Sequence, residues 1–258
     1  MYDESNQPAK KRPIINRLRT VCAWITGVLL LMCGVGVRVF PMTATIRALL
    51  LATLLSCIIT GFVAVVSGLK RRSAAVWPMV FFLALLIVWS VMGSKPPDIE
   101  ALRKVYFKRL SALVGTPYQI DGETNLGIDS AGLARAALWH AMVREGVKEF
   151  NPRLLGRDLW NFWWRDMDAA DIYRGKYGYA RSIGFVDKLA GFDTEHLKIG
   201  DMAVADGQHV MIYYGKEKWI EANPIDGKVV INKAPAKSKR KWFNEPVRLI
   251  RWRIFEEK

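Results

Sequence analysis

A chain of 258 residues with 51% apolar and 24% charged side chains is too apolar for a disordered polymer and lacks a collagen-like repeat. Its formal net charge of +14 is divided, with +8 in residues 1–94 and +6 in residues 95–258. A nucleic-acid binder concentrates its basic charge on the recognition domain, so no nucleic-acid partner is expected. All three cysteines, Cys22, Cys33 and Cys57, lie in the apolar N-terminal part. That excludes a disulfide, a cysteine-ligated zinc and a thiol nucleophile from residues 95–258.

Residues 1–19 form a basic tail. Three apolar runs follow, 20–37, 48–69 and 75–93, each bracketed by Lys or Arg and free of carboxylates and basic side chains. At ~1.5 Å per helical residue they reach roughly 27–33 Å, matching a hydrocarbon core of about 30 Å. Three transmembrane helices are therefore expected over 20–94. A cleaved signal peptide fits less well, because the first run is too long and two more follow. Lys10, Lys11, Arg12, Arg17 and Arg19 precede the first run, and Lys70, Arg71 and Arg72 follow the second. By the positive-inside rule the tail is cytoplasmic and residues 95–258 are extracytoplasmic, anchored in a bacterial inner membrane.

Residues 99–114 predict an amphipathic helix, stopped by Gly115-Thr116-Pro117. After a loop at 121–125, the stretch from Ser130 to Val143 is apolar almost all round, as in a buried helix, with Asp129 as its N-cap. Residues 152–190 read as helical and aromatic-rich. Trp160, Trp163 and Trp164 share one face there, as a core or groove-lining stripe. Beyond Gly200 the pattern becomes β-rich at 202–205, 210–214, 219–222, 229–231 and 247–254, separated by turn residues. Helices followed by strands predict an α+β domain with an antiparallel sheet. The Lys-rich stretch 233–241 reads as a solvated loop.

Of three histidines, His140 lies ten residues beyond Ser130, ~15 Å along one helix, too far to act as its base. His196 falls in a polar loop and reads as surface. His209 opens a predicted strand, and Glu221 lies in the next, across a hairpin, where the two side chains can share a face. A hydroxyl at a helix N-terminus gains from the dipole and from free backbone N–H groups. An imidazole on the sheet can serve as base and a carboxylate can orient it. Ser130, His209 and Glu221 fit these roles, although Ser130 equally fits a plain capping serine. No histidine has a partner at metal-ligand spacing, so neither a metal nor a cofactor is expected.

The motifs also carry a resemblance. Gly115-Thr116-Pro117-Tyr118, Gly122 and Gly127-Ile128-Asp129-Ser130-Ala131-Gly132-Leu133 resemble the signature of NlpC-type cell-wall endopeptidases. So do Leu197 to Met202, His209 to Gly215, and Trp219-Ile220-Glu221-Ala222 followed by 227–231. The resemblance covers about 102–235, apart from an extra segment near 146–190, and implies a papain-like α+β fold with a buried helix packed on a small antiparallel sheet. It implies nucleophile, base and orienter positions at Ser130, His209 and Glu221, substrate-site positions at Tyr118, Asp129 and Gly132, and a peptidoglycan peptide as substrate. The family nucleophile is cysteine, and here it is Ser130; the next residue, serine in the family, is Ala131. A hydroxyl must lose its proton during attack and needs an aligned base, so two readings stay open. One is a Ser-His-Glu hydrolase; the other is an inactive relative that binds cell-wall peptide or scaffolds envelope enzymes. The sequence specifies no protein partner.

Overall fold

The computed structural model describes residues 21, 24, 25, 27–29, 44–68 and 96–256. By its contacts the chain divides into two units, Met1–Phe40 with Thr45–Val91 and Met92–Lys258 with Pro41–Ala44.

In the first unit, helix α1 spans Ala44–Gly68. Its β-hydroxyls are turned onto backbone carbonyls: Thr53 Oγ1 donates to Leu49 O at 2.7 Å and Thr60 Oγ1 to Ser56 O at 2.8 Å. Thr53 also reaches Leu29 O at 3.4 Å. Leu54, Leu55, Ile58 and Ile59 are exposed, as are Val21, Trp24, Ile25 and Val28. In α1 side chains are described for 47–60 alone, and among the described residues no helix is long and apolar enough to cross a membrane. The expected span 75–93, most of 20–37 and the basic tail lie outside the described residues.

The second unit is α+β. Helix α2, Ile99–Ala112, starts at Asp98, whose side chain accepts from Ala101 N at 3.0 Å. Leu102, Tyr106 and Leu110 recur every four residues and are fully buried, one stripe of an amphipathic helix. Strands β1 (Glu123–Thr124) and β2 (Gly127–Ile128) form a two-stranded hairpin, β1 within the stretch 121–125 that the sequence reads as loop. Helix α3, Ser130–Lys148, follows. Its Leu133, Ala134, Ala137, Leu138 and Ala141 are buried. Small residues on this face let α2 and the sheet approach closely.

Helices α4 (Pro152–Leu155), α5 (Arg157–Trp164) and α6 (Ala169–Arg174) come next. The helical reading then fails: Ala180–Val186 is strand β3, an edge strand paired antiparallel with β8. Arg181, Ser182 and Phe185 are exposed, and the register shifts between Ser182 and Gly184. An edge strand with a bulge buries too little to show period-two alternation in its sequence. The aromatic stripe also differs from expectation. Phe162 is the buried ring of α5 (2% exposed), whereas Trp160 and Trp164 are 48% and 42% exposed.

The remaining strands are β4 (Met202–Ala205), β5 (His209–Gly215), β6 (Lys218–Asn223), β7 (Lys228–Lys233) and β8 (Val247–Trp252). They make one antiparallel sheet in the order β3-β8-β4-β5-β6-β7. The β5–β6 hairpin turns through Lys216 and Glu217, both at positive φ (52° and 59°), the two-residue geometry that matches strand twist. Alternation divides the sheet between two cores. Met202, Val204, Val210, Ile212, Ile220 and Ala222 join the core that includes α2 and α3. Ala203, Ala205, Met211, Tyr213 and Trp219 join a second core closed by Leu189, Ala190 and Phe243. Fully buried Asp201 is held by Arg251 through two 2.6 Å hydrogen bonds, and accepts from Lys198 N at 2.8 Å.

Candidate active site

Ser130 is the first residue of α3, and the chain before it explains its position. Residues 115–118 pair onto the edge of β7: Gly115 N donates to Val229 O at 2.9 Å and Tyr118 N to Gly227 O at 2.8 Å. Ile128 N then donates to Pro117 O at 3.0 Å, and Asp129 N to Gly122 O at 3.1 Å. Gly132 packs so closely on Gly122 that a Cβ would overlap the Gly122 carbonyl oxygen. Helix α3 therefore starts at the sheet end where β6 closes at Asn223 and β7 opens at Lys228, the pair of residues facing each other there.

Asp129 caps this helix. Its Oδ1 accepts from Gly132 N, and its Oδ2 from Asp121 N at 3.0 Å. Burial pushes its carboxyl above the usual range, although these bonds and Arg135 pull the other way. With Gly132 N taken by the cap and Leu133 N by Asp129 O, the N–H groups of Ser130 and Ala131 make no hydrogen bond among the described residues. Ser130 itself is 6% exposed. Two unclaimed donors at a helix N-terminus can hold a developing oxyanion. Half-buried Tyr118 lies in the same loop; its phenol is pushed up by burial, and further by the charges of Asp129 and Asp121.

His209 and Glu221 come together. His209 Nε2 lies 2.7 Å from Glu221 Oε2, and the residues are 2% and 1% exposed. Asn232 Nδ2 donates to Glu221 Oε1 at 3.1 Å, and Arg240 Nη1 lies 3.8 Å from that oxygen. Trp242 stacks on the imidazole, with centroids 4.6 Å apart and 15° between planes. Burial alone would raise Glu221, but the hydrogen bond and charge of His209, with bonds from Asn223 and Asn232, hold it below the usual carboxylate range. An anionic Glu221 accepting at Nε2 fixes the tautomer with its proton there, leaving Nδ1 as the basic nitrogen.

By strand alternation His209 and Glu221 share the face of Met211, Tyr213 and Trp219. Ser130 arrives from α3, which packs on the other face. The meeting place is the end of the sheet, where β5 begins at His209. No hydrogen bond joins Ser130 Oγ to His209 among the described residues. His140 lies farther along α3, and His196 is exposed. The lysines of 233–241 are exposed as expected, but the loop's C-terminal end turns inward at Arg240 and Trp242.

Asn232, Arg240 and Trp242 were missed in the sequence. Asn232 was within reach of register reasoning, since it pairs with Trp219 on β6, two residues from Glu221 and on the same face. Nothing local to the sequence marks Trp242, which reaches His209 from the short helical turn Lys241–Phe243.

Among solved structures, the chain is similar to an NlpC/P60 family protein from Bacillus cereus, with 17% identity and a TM-score of 0.36, over 61% of this chain and 41% of that one. It is also similar to the peptidoglycan hydrolase RipB from Mycobacterium tuberculosis, with 20% identity and a TM-score of 0.34, over 58% of this chain and 65% of that one. The match thus spans less than two thirds of either protein. No family model and no curated protein matches the chain.

Proposed function

We propose that residues 95–258 form an NlpC-like hydrolase, held outside the cytoplasmic membrane by three spans, that cleaves a peptide, or a related amide or ester, of the cell wall. The observation that carries the chemistry is the buried His209–Glu221 pair, 2.7 Å apart, at the sheet end where α3 begins with Ser130. A buried carboxylate and imidazole cost desolvation and gain little for the fold alone; such pairs belong where a proton must be moved.

In the proposed reaction Ser130 Oγ attacks the substrate carbonyl carbon as its proton passes to His209 Nδ1. The Ser130 and Ala131 N–H groups hold the oxyanion, with Tyr118 beside them. Collapse breaks the C–N or C–O bond, and His209 returns the proton to the leaving group. Water, deprotonated by His209, then hydrolyses the acyl-serine, restoring Ser130. Glu221 stabilises the imidazolium that forms at each step. On this reading the Ser130–His209 hydrogen bond forms when substrate is bound, since catalytic hydrogen bonds are commonly long or unmade in the empty site. Support for the tether lies in the three base-bracketed apolar runs and in the exposed Leu and Ile side chains of α1.

Full-length protein in detergent should release fragments from muropeptides, and Ser130→Ala should abolish release. Absence of turnover in both would defeat the hydrolase reading. Resistance to carbonate extraction, with residues 95–258 protected from protease in spheroplasts only after inversion, tests the tether and its orientation.

The missing Ser130–His209 hydrogen bond favours a second reading, in which the same groove binds cell-wall stem peptide without cleaving it. That reading predicts saturable muropeptide binding at the Ser130–His209 site that survives Ser130→Ala.

A further inference from the structure

Away from this site, a cavity of about 510 Å³ opens between α3, α5 and the C-terminal turn. Its lining includes Leu138 and Met142, eight and twelve residues along α3 from Ser130, hence ~12 and ~18 Å away along the axis. The floor is apolar: Leu138, Met142, Leu154 and Phe162 are each no more than 4% exposed. The rim is cationic, formed by Arg153, Arg165 and Arg253, with no carboxylate among the lining residues. Arg165 lies over the Tyr177 ring at 4.6 Å, and neither it nor Arg253 makes an ion pair among the described residues. The Arg165 and Arg253 guanidinium groups beside an apolar floor suit a ligand with an anionic head and a hydrocarbon part.

Two further observations select the source of that ligand. Tyr177 lines the cavity, and Trp160 and Trp164 precede its lining residues Asn161 and Arg165 in the chain; the three are 43%, 48% and 42% exposed, and Trp and Tyr with basic neighbours settle at the headgroup level of bilayers. Pro97 also lines the cavity and follows the apolar run 75–93 by four residues. Given the tether proposed above, on which this source rests, four extended residues span at most ~14 Å, a headgroup-layer distance.

We infer that the cavity takes the phosphodiester headgroup of an anionic phospholipid, with Arg165 and Arg253 on the phosphate and Trp160 and Trp164 among neighbouring headgroups. Binding there would fix the domain on the membrane surface by a second, non-covalent contact. A free phosphate ester would leave the apolar floor and the exposed indoles without a partner.

The test is native mass spectrometry of the full chain in maltoside micelles titrated with phosphatidylglycerol, phosphatidylcholine or glycerol phosphate. Wild type should retain phosphatidylglycerol at about tenfold lower concentration than phosphatidylcholine, and Arg165→Gln/Arg253→Gln should lose about tenfold in that affinity. Lys188→Gln/Lys237→Gln, an equal charge change at exposed positions elsewhere, should retain the lipid as wild type does. Equal retention by the arginine variant, no preference between lipids, or competition by glycerol phosphate as effective as the lipid would each overturn the inference. Carbonate extraction of the same proteins separates the two claims: release of wild type would sink the tether, whereas retention without a headgroup difference would sink the cavity alone.

Discussion

Replacing Glu221 with glutamine keeps the shape of the buried pair and removes its charge. Glu221 Oε2 sits 2.7 Å from His209 Nε2, and both residues are at most 2% exposed. Charge centres about 4 Å apart interact by about 4 kcal/mol at the effective permittivity of ~20 suited to protein sites. That is the most the imidazolium formed during attack can lose, a factor of about 10³ in rate. The glutamine oxygen can still accept from Nε2–H, so the expected fall in kcat is about 10²- to 10³-fold. The fold should lose less. Asn232 Nδ2, now donating to Glu221 Oε1 at 3.1 Å, meets an amide NH₂ instead and must turn its own oxygen inward. One rearranged buried hydrogen bond costs about 1–3 kcal/mol, or about 3–10 °C in Tm for a unit of this size. Initial rates of muropeptide release, measured beside Tm, check both figures. A folded Glu221→Gln variant turning over within threefold of wild type would refute the role given to the carboxylate.

Glu221 also sets a pH dependence. Its carboxyl is depressed in the folded state, so its contribution to stability is complete above the unfolded glutamate value of about 4.3 and is lost as pH falls through the folded value. Wild-type Tm should therefore fall more steeply than that of Glu221→Gln on acidification below about pH 4.5; parallel curves would contradict this. Arg135 is buried between Glu123 at 2.9 Å and Asp166 at 2.6 Å, tying the β1–β2 hairpin to the end of α5. Arg135→Met removes the cation these two carboxylates share and should cost about 1–3 kcal/mol, seen as a Tm drop of about 3–10 °C and faster proteolysis within 146–190. Gly132→Ala drives a methyl into the Gly122 carbonyl at the start of α3. It should cost about 3 kcal/mol or more, read from chemical denaturation, and an unchanged midpoint would show the helix start to be looser than described. Ser130→Cys in a chain lacking Cys22, Cys33 and Cys57 should give a thiol that iodoacetamide alkylates faster than free cysteine at pH 7, because the helix N-terminus and His209 favour the thiolate. A rate equal to free cysteine would remove His209 from its reach.

Much of the second unit is written locally. The Asp129 cap, the mostly apolar Ser130 helix and the five strands β4 to β8 follow from residue period and turn chemistry, because each buries a regular pattern. The His209–Glu221 proximity also followed from a hairpin with a two-residue turn. What escaped depends on contacts distant in sequence. Strand β3 is recognisable by its pairing with β8, since beyond Ala180 its own side chains are exposed or half-buried with no regular alternation. The β1–β2 hairpin is too short to alternate. Phe162, rather than the three tryptophans, supplies the buried ring of α5 because it packs against Tyr179 and Trp252, partners that no helical wheel reveals. Trp242 covers His209 from the short helical turn Lys241–Phe243, just past a stretch whose sequence signals only solvation.

The central claim is that the Ser130 hydroxyl is made nucleophilic by His209. Its most direct test is labelling of the full-length protein in detergent with a fluorophosphonate, followed by peptide mass spectrometry to locate the adduct. The account predicts phosphonylation at Ser130, abolished by His209→Ala. An unlabelled Ser130 in protein that still binds muropeptides would contradict it, and would leave the groove as a binding site.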